Sequence, residues 1–468
     1  MDSSSGGRYF LENLELSSSF SRVVMLDTEM VTSRGDIALL YSELGQFCKQ
    51  LSATGQTTER IKLKLSYLKD IRNSLSRLTG EKVPDDIEFF EIKSLAMLSE
   101  DIRELLKETD IDCIRLPLLS QVEEILDPDK NRITSFYIYD SYSSKLADLR
   151  KALKKQRTSE DRHTNYECVA ENEKKLAGDT GVSFRNSSFD LIQEISELED
   201  SIRRDLAKKL LPYAQQLEHA LLLLAKTDIL LSKATQIDKL GLIIPEISDK
   251  GIFYKGLFNP EVVEILEKEQ KRFQKIDIDF DAPLLITGAN MGGKSLTLKT
   301  LALTQYLFQF GFGIPASEAC IVPVDEVFLS IGDEQNYKLG LSSFAAEMKR
   351  INESLTALKS KKREQSEVLI LIDEPARTTN PHEGTALATA LITIFVEYNA
   401  LSVVTTHYNI EDINCKRLRV RGFEEEQMNY TLIPDTGGDV PKEAIRIALS
   451  LGVDGEWLDL AKKILAKD

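Results

Sequence analysis

Gly288-Ala289-Asn290-Met291-Gly292-Gly293-Lys294-Ser295 places its glycines, lysine and hydroxyl in the pattern G-x-x-x-x-G-K-[ST]. That spacing suits a phosphate group. Glycines, lacking a Cβ, let backbone N–H groups close around phosphate oxygens, and a following helix offers its positive N-terminal end. Lys294 can reach the β- and γ-phosphates of a nucleotide, and the Ser295 hydroxyl can ligate Mg²⁺. A second pair, Asp373-Glu374, ends the apolar run Val368–Ile372. Asp373 would hold Mg²⁺, usually through a water, and Glu374 would polarise the attacking water. Two adjacent acids can also simply open a helix, but the phosphate loop upstream favours the chemical role. A third candidate, His407, follows the apolar run in "SVVTTHY", where it could contact a γ-phosphate and report its loss. His163 and His219 lie on polar helical stretches and are read as idle; His382, close after the acid pair, is left open. The stretch "GLSSFAAEM", Gly340 to Met348, is on composition alone a turn with serines capping a helix.

Such groups need strands that end together. From about Ile276 the chain alternates apolar runs with helical stretches. The expected order is strand 284–286, loop, helix 295–308, strands 320–322 and 327–331, helix 343–358, strand 368–372, helix 384–398 and strand 402–405. Apolar strands separated by helices indicate a largely parallel sheet covered on both faces.

Up to about Lys250 the chain reads as helical. Leu191, Ile195, Leu198, Ile202, Leu206 and Leu210 recur at helical spacing, and Pro212 should end or kink that helix. Leu217, Leu221, Leu224, Ala225 and Leu231 continue the pattern, and 39–78 and 89–106 are further helical candidates. Between Arg150 and Asn186 the apolar pattern collapses into a polar stretch containing "GDTG", read as a short, exposed helix-and-loop excursion.

The 468 residues suggest more than one domain. No apolar run approaches the ~20 residues of a membrane helix, and "MDSSSGGRYF" lacks the basic start and apolar stretch of a signal peptide. Five scattered cysteines without metal spacing point to a reduced, cytoplasmic setting. A net charge of −16 counts against a dedicated nucleic-acid binder without excluding one. The basic clusters "RKALKKQR", "KKR" and "KRLRVR" are read as solvated helix faces and loops.

Taken together, the blocks resemble the ATPase domain of the MutS family of DNA mismatch repair proteins. "TGANMGGKS" is similar to that family's phosphate loop, "GLSSFAAEM" to its signature loop, and "LIDEPARTTNPHEG" and "TTHY" to its acid pair and its histidine switch. "GIPASEACIVPVDEVFLSIGD" and the tail "EAIRIALSLGVDGEWLDLAKKIL" are similar to segments of the same domain. The resemblance implies an α/β P-loop NTPase of ABC-like type with a mostly parallel sheet over 251–468, ending in a helical dimerisation segment. It implies an all-α lever domain over 1–250 with a reduced clamp excursion near 151–187. ATP and Mg²⁺ would be bound by Gly288, Asn290, Met291, Gly292, Gly293, Lys294, Ser295 and Leu296, with Asp373 on the metal. Ser342 of a second subunit, in a homodimer or a heterodimer with a paralogue, would reach the γ-phosphate. Hydrolysis to ADP and phosphate would use Glu374, His407 and Lys294.

Two departures bear on the substrate. The mismatch-reading module has no counterpart in the sequence. The family's D-E-x-G-R-G-T is here Asp373-Glu374-Pro375-Ala376-Arg377-Thr378-Thr379, with Ala and Thr in place of the glycines. This version resembles MutS-like reactivase subunits associated with lysine 5,6-aminomutase, a cobalamin enzyme. The expectation is therefore an ATPase that remodels a protein partner. The alternative is a DNA-binding repair protein recognising mismatched or branched structures.

Overall fold

The computed structural model describes residues 7–53, 55–80, 82–133, 135–167, 180–288, 293–331, 343–360, 368–410, 413–424, 427–435, 448 and 454–465. Its helices are α1 (Gly7–Glu12), α2 (Ser19–Leu26), α3 (Arg34–Ala53), α4 (Gly55–Leu65), α5 (Arg72–Thr79), α6 (Asp86–Leu106), α7 (Ser120–Leu126), α8 (Ser144–Glu167), α9 (Thr180–Leu210), α10 (Ala214–Leu240), α11 (Pro260–Lys268), α12 (Lys294–Gln309), α13 (Ser343–Ser360), α14 (Pro381–Glu397) and α15 (Gly455–Leu465). Its strands are β1 (Glu246–Ile247), β2 (Ile252–Leu257), β3 (Ile276–Phe280), β4 (Leu284–Thr287), β5 (Glu318–Ile321), β6 (Glu326–Ser330), β7 (Val368–Asp373), β8 (Ser402–Thr405), β9 (Lys416–Glu424) and β10 (Gln427–Pro434). The chain divides into two compact units. One comprises Leu16–Asp27 and Lys49–Leu230; the other comprises Met1–Glu15, Thr28–Cys48 and Leu231–Asp468.

The first unit is helical among the described residues. Its α6 begins with a capping box: Glu88 N donates to the Asp85 carboxylate and Asp85 N to the Glu88 carboxylate, each at 2.9 Å. Phe89, Ile92, Ala96 and Ile102 of α6 are fully buried. Lys93 on the same helix is also fully buried, which is tolerable because its Nζ donates to Asp127 at 3.0 Å and to the Tyr139 hydroxyl at 3.1 Å. Pro212 separates α9 from α10 through a single 3₁₀ turn, Leu211–Tyr213, since proline lacks the N–H an uninterrupted helix would use. Within α10, Leu217, Leu221, Leu224 and Ala225 are fully buried, as their spacing predicts. Buried Asp228 accepts from the N–H groups of Ser17 and Ser18, both at 3.0 Å, just before α2. The polar stretch after Arg150 is more regular than its composition suggests: α8 continues to Glu167, and α9 starts at Thr180. Arg150, bonded to Glu199 at 2.7 Å, ties the two helices together.

The second unit holds two sheets. The larger runs β10-β9-β4-β8-β7-β6. From β9 to β6 it is parallel; β10 turns back antiparallel on β9. The smaller sheet, β1-β5-β2-β3, is mixed, with β2 antiparallel to both its neighbours. The expected mostly parallel sheet therefore describes the larger sheet and not the whole α/β unit. "KRLRVR" is corrected as well. It is strand β9 beside β4, with Leu418 and Val420 buried between the charged positions. The strands β4 and β8 are buried throughout, and β7 is buried up to Asp373. Ile370, Ile372, Ala388, Leu391, Ile392 and Phe395 form the core between β7 and α14. Among the described residues, no helix is long and apolar enough to cross a membrane.

Candidate functional site

Register brings the candidate groups together. Ile286 of β4 pairs with Thr405 of β8, and Thr405 pairs in turn with Asp373 of β7. The strands are parallel, so the phosphate loop, the acid pair and His407 all leave the sheet at the same, C-terminal edge. That edge is where open α/β sheets place their ligands.

The loop leaves β4 through Gly288 at φ +130°, and Gly293 enters α12 at φ +73°. Both conformations favour glycine. Space is tight as well: a Cβ on Gly288 would lie 3.2 Å from the Val420 side chain, and one on Gly293 would lie 3.2 Å from the Tyr430 ring. Asn290, Met291 and Gly292 fall outside the described residues, as does Ser342.

Lys294 begins α12 and is buried. Its Nζ donates to the Gly288 carbonyl at 2.5 Å and lies 3.2 Å from Glu374 Oε1. The Ser295 hydroxyl donates to Asp373 Oδ2 at 2.5 Å, and the Thr405 hydroxyl donates to Asp373 Oδ1 at 2.5 Å. Glu374 is 7% exposed, and its backbone N–H donates to the Thr405 carbonyl at 3.0 Å. His407 Nδ1 and Arg377 Nη1 each lie 3.6 Å from Glu374 Oε2. Thr406 N donates to the Ile286 carbonyl at 3.0 Å, which anchors the "TTHY" turn to β4.

Burial alone would raise the Glu374 carboxyl. The His407 ring and the Lys294 ammonium more than reverse this, and hold it at about 2. Burial lowers Lys294, with Glu374 and Asp373 acting in the opposite direction. A carboxyl depressed in the folded state adds stability above its unfolded value, near 4.5, and loses it as pH falls toward 2. The gap in melting temperature between the wild type and Glu374→Gln should therefore narrow as pH falls through that window. A gap that stays constant from pH 7 to pH 3 would remove the ion pair from the account.

Ser295 and Asp373 suit Mg²⁺, which commonly takes one or two protein oxygens and completes its shell with phosphate and water. Among the described residues no group of three or more His, Cys, Asp or Glu side chains could hold a metal by itself, so a cation at Ser295 and Asp373 would need further oxygens from its ligand.

A cavity of about 810 Å³ opens beside Gly293. Leu296 and Thr297 of α12 form one wall; Arg272, Phe273, Met428 and Tyr430 contribute others. Gln274 fixes that wall, donating to Asn429 at 2.8 Å and to Thr431 at 2.9 Å and accepting from Tyr430 N at 2.8 Å. The dimensions and the aromatic surface suit a nucleobase. Phe273, Met428 and Tyr430 were not legible as site residues in the sequence. Only the β10 pairing and the Gln274 contacts bring them beside α12. Arg377 was visible merely as a position in the acid-pair motif.

Residues 284–431 match the model of MutS domain V. The chain is 32% identical over 291 residues to the endonuclease MutS2 of Enterococcus faecalis, covering 58% of this chain and 35% of that protein. It is 33% identical over 294 residues to the endonuclease MutS2 of Ligilactobacillus salivarius, covering 59% and 35%. The match to the endonuclease MutS2 of Lactococcus lactis is 27% identical over 492 residues, covering 93% of this chain and 61% of that protein. The matched regions thus span about a third of the first two relatives and 61% of the third. The stretch that carries the phosphate loop, the acid pair and the histidine turn is thus similar to MutS domain V.

Proposed function

We propose that this chain binds ATP with Mg²⁺, hydrolyses it to ADP and phosphate, and couples the cycle to DNA. The observation that carries the reading is the convergence of Lys294, Ser295, Asp373, Glu374 and His407 at one edge of three adjacent parallel strands. Phosphate would enter between the glycine loop and α12, and Lys294 would exchange Gly288 and Glu374 for phosphate oxygens. Ser295 and Asp373 would hold Mg²⁺, which when bound neutralises charge on the β- and γ-phosphates. The base would lie in the cavity against Phe273 and Tyr430. Glu374 orients the attacking water. Water's oxygen bonds to the γ-phosphorus, the bridging P–O bond to the β-phosphate breaks, and ADP departs. Glu374 positions the water, and the proton leaves with inorganic phosphate. His407, within ion-pair distance of Glu374, is placed to register the loss of the γ-phosphate. Ser342 from a second copy or a paralogue would complete the site in a dimer.

The choice of DNA rests on the relatives, which are named endonucleases. The aminomutase-linked remodelling reading draws no support from them and gives way to the DNA-binding alternative. Strand cutting is not part of the proposal, since the site described is one for a nucleotide. The test is ATP turnover by the purified chain with and without branched duplex DNA, alongside binding to that DNA at rising salt. Hydrolysis, and binding that weakens on the order of tenfold or more between about 50 and 200 mM salt, are expected. No hydrolysis would sink the ATPase reading; hydrolysis without DNA binding at low salt would sink the DNA half alone.

A further inference from the structure

The turn after Glu374 takes a conformation that side chains disfavour. Glu374 has φ +48° and Ala376 has φ +60°. Glycine would adopt these angles freely; alanine in the left-handed region is strained. Ala376 is nonetheless fully buried. Surrounding groups therefore hold the turn in place.

Two side chains grip Ala376 from opposite ends of its peptide units. Ala376 N donates to Glu347 Oε1 at 2.8 Å. The Tyr408 hydroxyl donates to the Ala376 carbonyl at 3.1 Å. Gly384 leaves room for that hydroxyl: a Cβ there would collide with it and lie 3.1 Å from the same carbonyl. Glu347 lies in the second turn of α13, whereas Tyr408 directly follows His407. The acid's own backbone is fixed to β8 through Thr405. Its side-chain direction thus depends on the strained turn immediately after it.

We infer that Glu347 is a positioning residue for the hydrolytic step: by accepting the Ala376 N–H it locks the turn that aims Glu374 at the water. The inference deepens the ATPase reading and rests on it. It also gives α13 a mechanical link to the acid. A shift of that helix would withdraw the acceptor and let Ala376 relax toward ordinary φ, turning Glu374 away.

The Glu347 bond to Ala376 acts on the turn after the acid pair and not on the phosphate loop, so losing it should affect turnover more than nucleotide binding. Glu347→Ala is expected to lower kcat on the order of tenfold or more with KM and ATP affinity nearly unchanged. Glu347→Gln keeps an acceptor oxygen of the same reach and should stay near wild type. Adding Ala376→Gly to Glu347→Ala should recover part of the lost kcat, because glycine holds φ +60° without a clamp. Should Glu347→Ala not fold, Glu347→Asp, one methylene too short, takes its place with the same expectation. Wild-type turnover in Glu347→Ala or Glu347→Asp would overturn the inference. So would a Gln variant as impaired as the Ala variant, or a fall in ATP affinity equal to the fall in kcat. A wild-type chain that binds ATP but does not hydrolyse it would instead overturn the ATPase reading beneath.

Discussion

Glu374→Gln should reduce ATP turnover by about 10²- to 10³-fold while ATP binding is kept or tightened. The two halves have separate origins. Glu374 lies within ion-pair distance of the phosphate-loop lysine. Asp373 accepts from Ser295 and Thr405, whereas Glu374 faces Lys294, His407 and Arg377. Glutamine preserves the size of the side chain but cannot accept through two charged oxygens, so the water loses its orientation. Lys294 is also held by Glu374 at 3.2 Å and by the Gly288 carbonyl at 2.5 Å. ATP must displace the first of these contacts. Removing the charge frees the ammonium, so the dissociation constant for ATP should be equal or lower. Steady-state turnover and equilibrium binding of ATP to the same preparation test both halves. Unchanged turnover would refute the assigned role. Loss of binding in parallel with turnover would make Glu374 a structural counter-ion and nothing more.

How much of this was legible in the sequence depended on the physical signal each part leaves. The strands β4, β7 and β8 are buried on both faces, so they read as short continuous apolar runs ending in Gly288, in Asp373-Glu374 and in His407. The strands and the candidate residues at their ends were therefore read together, and β8 runs over Ser402–Thr405 as expected. In the smaller sheet β5 was expected, as 320–322, but β2 and β3 were overlooked because they are buried on alternate residues and offer fewer apolar positions. The alternation Ile276-Asp277-Ile278-Asp279-Phe280 is a period-two signal that could have marked β3. Strand β9 was mistaken for a solvated loop because its charges alternate with Leu418 and Val420. Its basic composition masked a core position. The cavity beside Gly293 could not be read at all. Phe273 and Tyr430 are 157 positions apart, and what joins them is the hydrogen bonding of Gln274 to β10. Likewise Ala376 was visible as a departure from glycine, but its positive φ, which makes the departure matter, exists only in the fold.

Lys294→Ala should weaken ATP binding on the order of 100-fold or more, since charge-assisted hydrogen bonds to phosphate are among the stronger polar contacts. It should also lower the stability of the nucleotide-free protein, which a purely ligand-binding lysine would not do. Lys294 and Glu374 are 3% and 7% exposed. Deleting the ammonium leaves a buried carboxylate without its nearest cation. Breaking such a pair from one side typically costs about 3 kcal/mol or more; here His407 and Arg377, each 3.6 Å from the other oxygen, should hold the loss nearer 2 kcal/mol. The combined variant Lys294→Ala, Glu374→Gln removes both charges. It should be more stable than Lys294→Ala alone, because no charge is left stranded, while still failing to bind ATP. Denaturant unfolding of the four proteins in the cycle gives the coupling directly. If the double variant is destabilised by the sum of the singles, Lys294 and Glu374 act independently and the resting latch across the phosphate loop does not exist. If the coupling is favourable, ATP binding must break an ion pair that helps hold the site together. Part of the nucleotide's binding energy is then spent releasing Glu374 for its work on water.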